Sequence, residues 1–164
     1  MTGGTGTAAG GRTVVRRAVR ADLVHVAELA AEHALYEKAA PPAPGLAGRL
    51  ETALFGAGSP RLLCLVAEAA DGSLAGYASC TVEFATWQGR DYLHMDCLYL
   101  REAQRGQGWG ARLVEAVVAE AVALGLGEVQ WNTPAWNEGA IRFYDRLGAV
   151  GKEKVRYTLD VPRS

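Results

Sequence analysis

Several features are missing from this chain of 164 residues, and each absence excludes something. No apolar run approaches the ~20 residues that a membrane-spanning helix needs. The N-terminus lacks the basic start and apolar core of a secretory signal. Neither charge is in excess: 17 Lys and Arg face 18 Asp and Glu, for a net charge of -1 and a pI near 6.3. No broad basic field therefore argues for a nucleic-acid partner. Cysteine is scarce, with Cys64, Cys80 and Cys97 an odd set in apolar strand-like runs. They lack metal-ligand spacing, so the expectation is buried, reduced thiols in a cytoplasmic protein that holds no metal. Repeats and linkers are also missing. What remains is an ordinary globular composition, 49% hydrophobic and 21% charged, at a length that suits one domain with its own core.

Periodicity and chain breakers set the expected order of elements. Residues 1–12, mostly Gly, Thr and Ala, read as a flexible tail ahead of a single domain over 13–164. A strand is expected over 13–19. A helix over about 21–39 carries Leu23, Val26, Ala27, Ala30 and Ala34 at helical spacing and is closed by Pro41, Pro42 and Pro44. A second helix is expected over 46–55. Further strands are expected over 61–69, 74–84 and 92–100, with Asp71-Gly72 and Gln88-Gly89-Arg90 as turns. A helix over 109–124 presents Leu113, Val114, Val117, Ala121 and Leu124 as one apolar stripe. A short strand over 128–132, a helix over 138–147 capped by Asn137, and a last strand over 154–161 complete the order β-α-α-β-β-β-α-β-α-β. This is a mixed α/β fold.

The chain is organised around Gln104-Arg105-Gly106-Gln107-Gly108-Trp109-Gly110-Ala111, between a strand and a helix. Glycines let the backbone turn tightly and let a ligand approach its amides. The start of a helix offers unpartnered N–H groups and partial positive charge. Together these form a site for phosphate or pyrophosphate. The spacing fits neither a Walker loop, which needs lysine, nor the Gly-x-Gly-x-x-Gly dinucleotide fingerprint. A glycine-rich turn without a ligand is the plain alternative.

The run from Arg105 to Gly110 resembles the Arg/Gln-x-x-Gly-x-Gly/Ala element of the GNAT superfamily of N-acetyltransferases. The stretch Asn132 to Tyr144 resembles the Trp-Asn-Glu-Pro-x-Ile-x-Phe-Tyr element of its diamine (spermidine/spermine) acetyltransferase-like branch. Tyr36-Glu37, the Arg17-to-Asp22 opening and Met95-Asp96-Cys97-Leu98-Tyr99-Leu100 are similar to further elements of that branch, so the likeness spans about residues 14–160. It implies a GNAT fold, with a mostly antiparallel sheet and helices on both faces. It also implies acetyl-coenzyme A as co-substrate, a small-molecule amine as acceptor, and a homodimer. By position, Leu98, Tyr99 and Leu100 would line the acetyl-pantetheine channel. Arg105, Gly106, Gln107, Gly108, Trp109, Gly110 and Ala111 would hold the pyrophosphate. Asn137, Ala140 and Tyr144 would flank the cofactor, with Tyr144 protonating the departing thiolate and Asp96 taking the amine's proton. Tyr36, Glu37, His94, Asp96, Gln130, Trp131 and Asn132 would form the acceptor pocket.

The residues leave alternatives open. A carboxylate can drain a proton from an amine directly or through water. Asp96 stands where the branch has glutamate and is one methylene shorter, so a water relay, or His94 as base, competes with it. On periodicity alone Tyr144 reads as a core tyrosine with a satisfied hydroxyl, and the resemblance reverses that reading. Strand amides near Leu98 to Leu100 would serve an oxyanion if that strand bulges or splays. His25 and His33 are expected in solvent, and Cys97 reads as a packed strand residue. Arg142 and Arg146 read as a solvated face in preference to a contact with the cofactor's 3'-phosphate. Gly139 replaces the branch's proline, which argues against assuming a polyamine acceptor. A non-catalytic acyl-coenzyme A sensor and a protein N-acetyltransferase are the other readings.

Overall fold

The computed structural model describes residues 13–163; the expected N-terminal tail lies outside them. The chain divides into two units, Met1–Asn132 and Thr133–Ser164.

The first unit holds five strands in the order β1 (Val14–Arg17), β2 (Leu63–Glu68), β3 (Leu74–Ala85), β4 (Arg90–Leu100) and β5 (Val129–Trp131). The first four neighbours pair antiparallel, and β5 joins β4 in parallel. Helices α1 (Leu23–Tyr36) and α2 (Leu46–Phe55) pack on one face. Helix α3 (Trp109–Ala123) packs on the other.

Strand alternation feeds both cores. Leu65, Ala67, Ala78, Cys80, Leu93 and Met95 meet Trp109, Leu113, Val117 and Ala121 of α3. Cys64, Val66, Tyr77 and Tyr99 meet Leu23, Val26 and Leu29 of α1 and Leu54 of α2. Leu29 and Leu113 are wholly buried, each contributing about 1.5–3 kcal/mol of burial. The expected α3 stripe is buried except for its last member, Leu124, which lies past the helix and is exposed.

An ionic knot ties β1 to its surroundings. Arg16 spans Asp22 with a two-pronged contact (2.7 and 3.0 Å) and reaches Glu68 on β2 at 2.7 Å. Just past β4, Arg101 grips Glu32 of α1 (Nη2 to Oε1, 2.9 Å) and donates to the Leu74 carbonyl. The end of β4 is thereby fixed to α1.

Besides a register shift at Ala75 of β3 against β2, two irregularities lie on β4. Ser79 pairs with Cys97 and Cys80 with Met95, so Asp96 is an extra residue on β4. This bulge reverses the strand's alternation. Before it Leu93 and Met95 face α3; after it Leu98 and Leu100 face α3, while Cys97 and Tyr99 face α1. In addition, β5 pairs with β4 only from Leu93 to Met95. Past that point the β5 side of β4 has no strand neighbour among the described residues.

The second unit holds α4 (Glu138–Arg146). Asn137 caps it, its Oδ1 accepting the Ala140 amide at 3.2 Å. The strand expected over 154–161 is not formed: those residues carry no strand geometry, and Val155, Tyr157, Leu159 and Val161 are exposed. The alternating pattern is present, but a strand also needs a ladder partner, which a pattern cannot supply.

Candidate active site

The glycine turn is built as its sequence demands. Gly106 and Gly108 have φ of 76° and 82°, in the left-handed region, and a Cβ on either would meet nothing within 4 Å. Conformation rather than crowding therefore requires glycine here. Gly108 is the residue before α3 and carries no side chain to cap it. The amides of Trp109, Gly110 and Ala111 belong to the first turn, where helix geometry provides no acceptor; the Arg112 amide already bonds the Gly108 carbonyl. The Trp109 ring is buried and anchors the turn to the α3-side core. The Gln107 amide group donates to the Ala103 carbonyl at 3.3 Å. Arg105 donates to the Leu100 carbonyl at 3.1 Å, and its guanidinium lies 4.7 Å from the Tyr36 ring and 5.8 Å from the Tyr99 ring. A cation, glycine backbone and an uncapped helix start thus share one turn, which suits a diphosphate.

The bulge gathers the polar side chains of β4. His94 Nε2 lies 3.9 Å from Asp96 Oδ1, and the Cys97 thiol donates to Asp96 Oδ2 at 3.6 Å. Asp96 itself is exposed, whereas His94 is largely covered. Cys97 is half-buried, and burial pushes its thiol above the usual range. Cys64 and Cys80, more deeply enclosed, are pushed up to about 12 by burial. None of the three is poised as a thiolate nucleophile.

Helix α1 ends against this strand. Glu37, just past its last turn, lies 3.1 Å from His33 Nε2. His33 Nδ1 lies 3.3 Å from the Tyr77 hydroxyl, and its ring stacks on Tyr99 with centroids 5.1 Å apart. Burial is the main cause that raises the Tyr77 and Tyr99 phenols, so both stay neutral hydroxyls. The expectation that His33 is solvated is overturned: its side chain is 13% exposed, against 61% for His25. Two aromatic rings from β3 and β4 cover it, an arrangement the helix pattern alone does not encode. The His33–Glu37 spacing of one helical turn was the available signal.

The remaining candidates are spread over both units. Gln130 pairs in register with His94 on the sheet and donates to Glu128 at 2.5 Å. Trp131 lies on the opposite face of β5 and packs on the α3-side core. Asn132 is exposed at the end of the first unit. In the second unit, Tyr144 is half-buried beside Phe143, with ring centroids 5.2 Å apart, and shares α4 with Ala140 one turn earlier. Arg142 is exposed and lies 3.8 Å from Glu138. Among the described residues no group of His, Cys, Asp and Glu is placed to hold a metal, and no helix is long and apolar enough to cross a membrane.

Known proteins resemble this chain in sequence and in fold. The model of the family described as Acetyltransferase (GNAT) family matches residues 23–149. A thialysine N-epsilon-acetyltransferase of Bos taurus is 29% identical over 143 residues, 83% of each chain. An L-ornithine N5-acetyltransferase of Arabidopsis thaliana is 33% identical over 79 residues, which is 48% of this chain but 35% of that one. Among solved structures, a probable acetyltransferase matches with a TM-score of 0.76 at 18% identity, covering 92% of this chain and 99% of that chain. An aminoglycoside acetyltransferase from an uncultured soil metagenomic sample matches with a TM-score of 0.73 at 16% identity, covering 92% and 97%. At such identities the structures establish the fold.

Proposed function

The chain belongs to the acetyltransferase (GNAT) family, and from that premise we propose that it moves the acetyl group of acetyl-coenzyme A to a primary amine of a small molecule by direct attack. One observation carries this reading. A single strand, β4, leads from an acidic bulge at Asp96 into a glycine turn that suits a diphosphate, and among the described residues its edge between the two is free of a neighbouring strand. The family model crosses both units, which supports treating 13–164 as one N-acetyltransferase domain. A homodimer rests on the resemblance alone, and a cytoplasmic location on the three unpaired cysteines.

Acetyl-coenzyme A supplies an acyl group already activated as a thioester, so no covalent enzyme intermediate is required. Arg105 and the turn through Ala111 would hold the diphosphate. Main-chain groups of Leu98 to Leu100, on the open edge, would line the acyl arm and offer amides to the developing oxyanion. The amine needs help: with an ordinary pKa of about 10.4, only about one molecule in a thousand is neutral near pH 7.4. Asp96, directly or through water, would accept the proton, with His94 beside it. Glu37 and Tyr36 would receive the acceptor. By the resemblance alone, Asn137 and Ala140 would flank the co-substrate and Tyr144 would return a proton to the leaving thiolate. The relatives named for thialysine and ornithine support an amine that carries a second charged group.

The test is a panel of diamines, basic amino acids, aminoglycosides and peptides with acetyl-coenzyme A, read by release of free thiol. Turnover of small amines is expected. Coenzyme A binding without thiol release from any of them would leave only a binding module, and acetylation confined to peptide termini would make this a protein acetyltransferase.

A further inference from the structure

We infer that His33 is a positioning residue for the amine acceptor, holding Glu37 in place from a seat against Tyr77 and Tyr99; this rests on the proposed acetyl transfer to a small amine. Its two imidazole nitrogens face different partners, Glu37 at 3.1 Å and the Tyr77 hydroxyl at 3.3 Å. The three residues come from two parts of the fold: the end of α1 and the middle of β3.

The electrostatics show why Glu37 needs such a partner. It sits just past the last turn of α1, where the helix presents partial negative charge and a carboxylate is disfavoured. A carboxylate only accepts hydrogen bonds, which places a hydrogen on His33 Nε2. The imidazole itself cannot swing away. Tyr99 stacks on its face and Tyr77 stands edge-on to it, with centroids 6.2 Å apart. The same Tyr99 ring, with Tyr36, lies beneath the Arg105 guanidinium. His33 is therefore locked between Tyr77 of β3 and Tyr99 of β4, and a side chain so fixed holds Glu37 in one orientation for a cationic acceptor.

Three variants separate hydrogen bonding from packing. His33→Phe keeps a ring against Tyr99 and loses both hydrogen bonds. His33→Gln keeps a donor and loses the stack. Glu37→Gln removes the charge that His33 holds. With an amine that the wild type acetylates, His33→Phe should raise the acceptor KM about tenfold or more, as expected for a lost hydrogen bond to a charged group. Its kcat should change far less, and its Kd for coenzyme A should stay within about twofold. His33→Gln should recover most of the KM. The double variant His33→Phe with Glu37→Gln should be no worse than the poorer single one, because both remove the same contact. An unchanged KM in His33→Phe, or fully additive losses, would overturn the assignment while leaving the acetyltransferase reading intact. Wild-type protein that acetylates no amine would overturn both. If the phenylalanine variant does not fold, the glutamine variant decides: a KM raised as much as that of Glu37→Gln rejects the role of the retained donor.

Discussion

Replacing Gly76 by alanine would place a methyl carbon 2.2 Å from the carbonyl oxygen of Tyr99 and 2.6 Å from the Leu100 side chain. The leucine can turn aside, but the carbonyl is main chain, held in the β3–β4 ladder. Strands β3 and β4 would have to part by about 1 Å to restore a tolerable contact. Overpacking of a tight site costs about 1–3 kcal/mol, and with backbone on both sides the upper end, about 3 kcal/mol, is expected. Gly108 is the instructive contrast. Its surroundings are open, so Gly108→Ala meets no atom and is penalised only through its φ of 82°, at about 1–2 kcal/mol. Asparagine visits that region more readily than alanine. Gly108→Asn should therefore recover much of the stability, while still weakening coenzyme A binding through the side chain placed over the amides. Urea unfolding of the three variants gives the stabilities, and calorimetric titration with coenzyme A gives the affinities. A loss below about 1 kcal/mol in Gly76→Ala would refute the steric argument. Equal losses in Gly108→Ala and Gly108→Asn would refute the conformational one.

The same geometry sets other expected outcomes. Asp96→Asn and Tyr144→Phe should each lower kcat by roughly 10²–10⁴, the range for a lost general base or acid, with the coenzyme A Kd nearly unchanged; steady-state kinetics and titration check both. Asp22→Asn should cost roughly 1.5–3 kcal/mol, as for a lost hydrogen bond between charged groups. The Arg16 guanidinium, through its hydrogen bonds, holds the Asp22 carboxyl below the usual carboxylate range. Its contribution is therefore complete above the unfolded pKa and is lost as pH falls through the folded one. The urea midpoint of the wild type should accordingly drop more steeply in acid than that of the variant. Finally, thiol labelling at pH 8 should leave Cys64 and Cys80 unmodified in the native protein and modify all three cysteines in denaturant, as counted by intact mass.

Much of this architecture was legible in the sequence because the signals were local. The α3 stripe, the Asn137 cap and the glycines of the turn each arise from the residues that form them. The illegible parts depend on partners distant in the chain. His33 sits on a helix face whose cover comes from Tyr77 and Tyr99. The side of β5 that Trp131 takes is fixed by the α3-side core. Residues 154–161 have the alternation of a strand, but alternation does not state whether a neighbour exists. The extra residue in β4 was not placed by the sequence either, since only the pairing of Ser79 with Cys97 and of Cys80 with Met95 reveals it.

That extra residue is an insertion which the two hydrophobic layers do not need. Deleting Asp96 would leave Cys80 opposite Met95 and Ser79 opposite Cys97 in an even pleat. Cys97 and Tyr99 would still face α1, and Leu98 and Leu100 would still face α3, so both layers would keep their fit. The position belongs to the chemistry rather than to the packing, and a chain shortened there would keep its sheet while losing its acid.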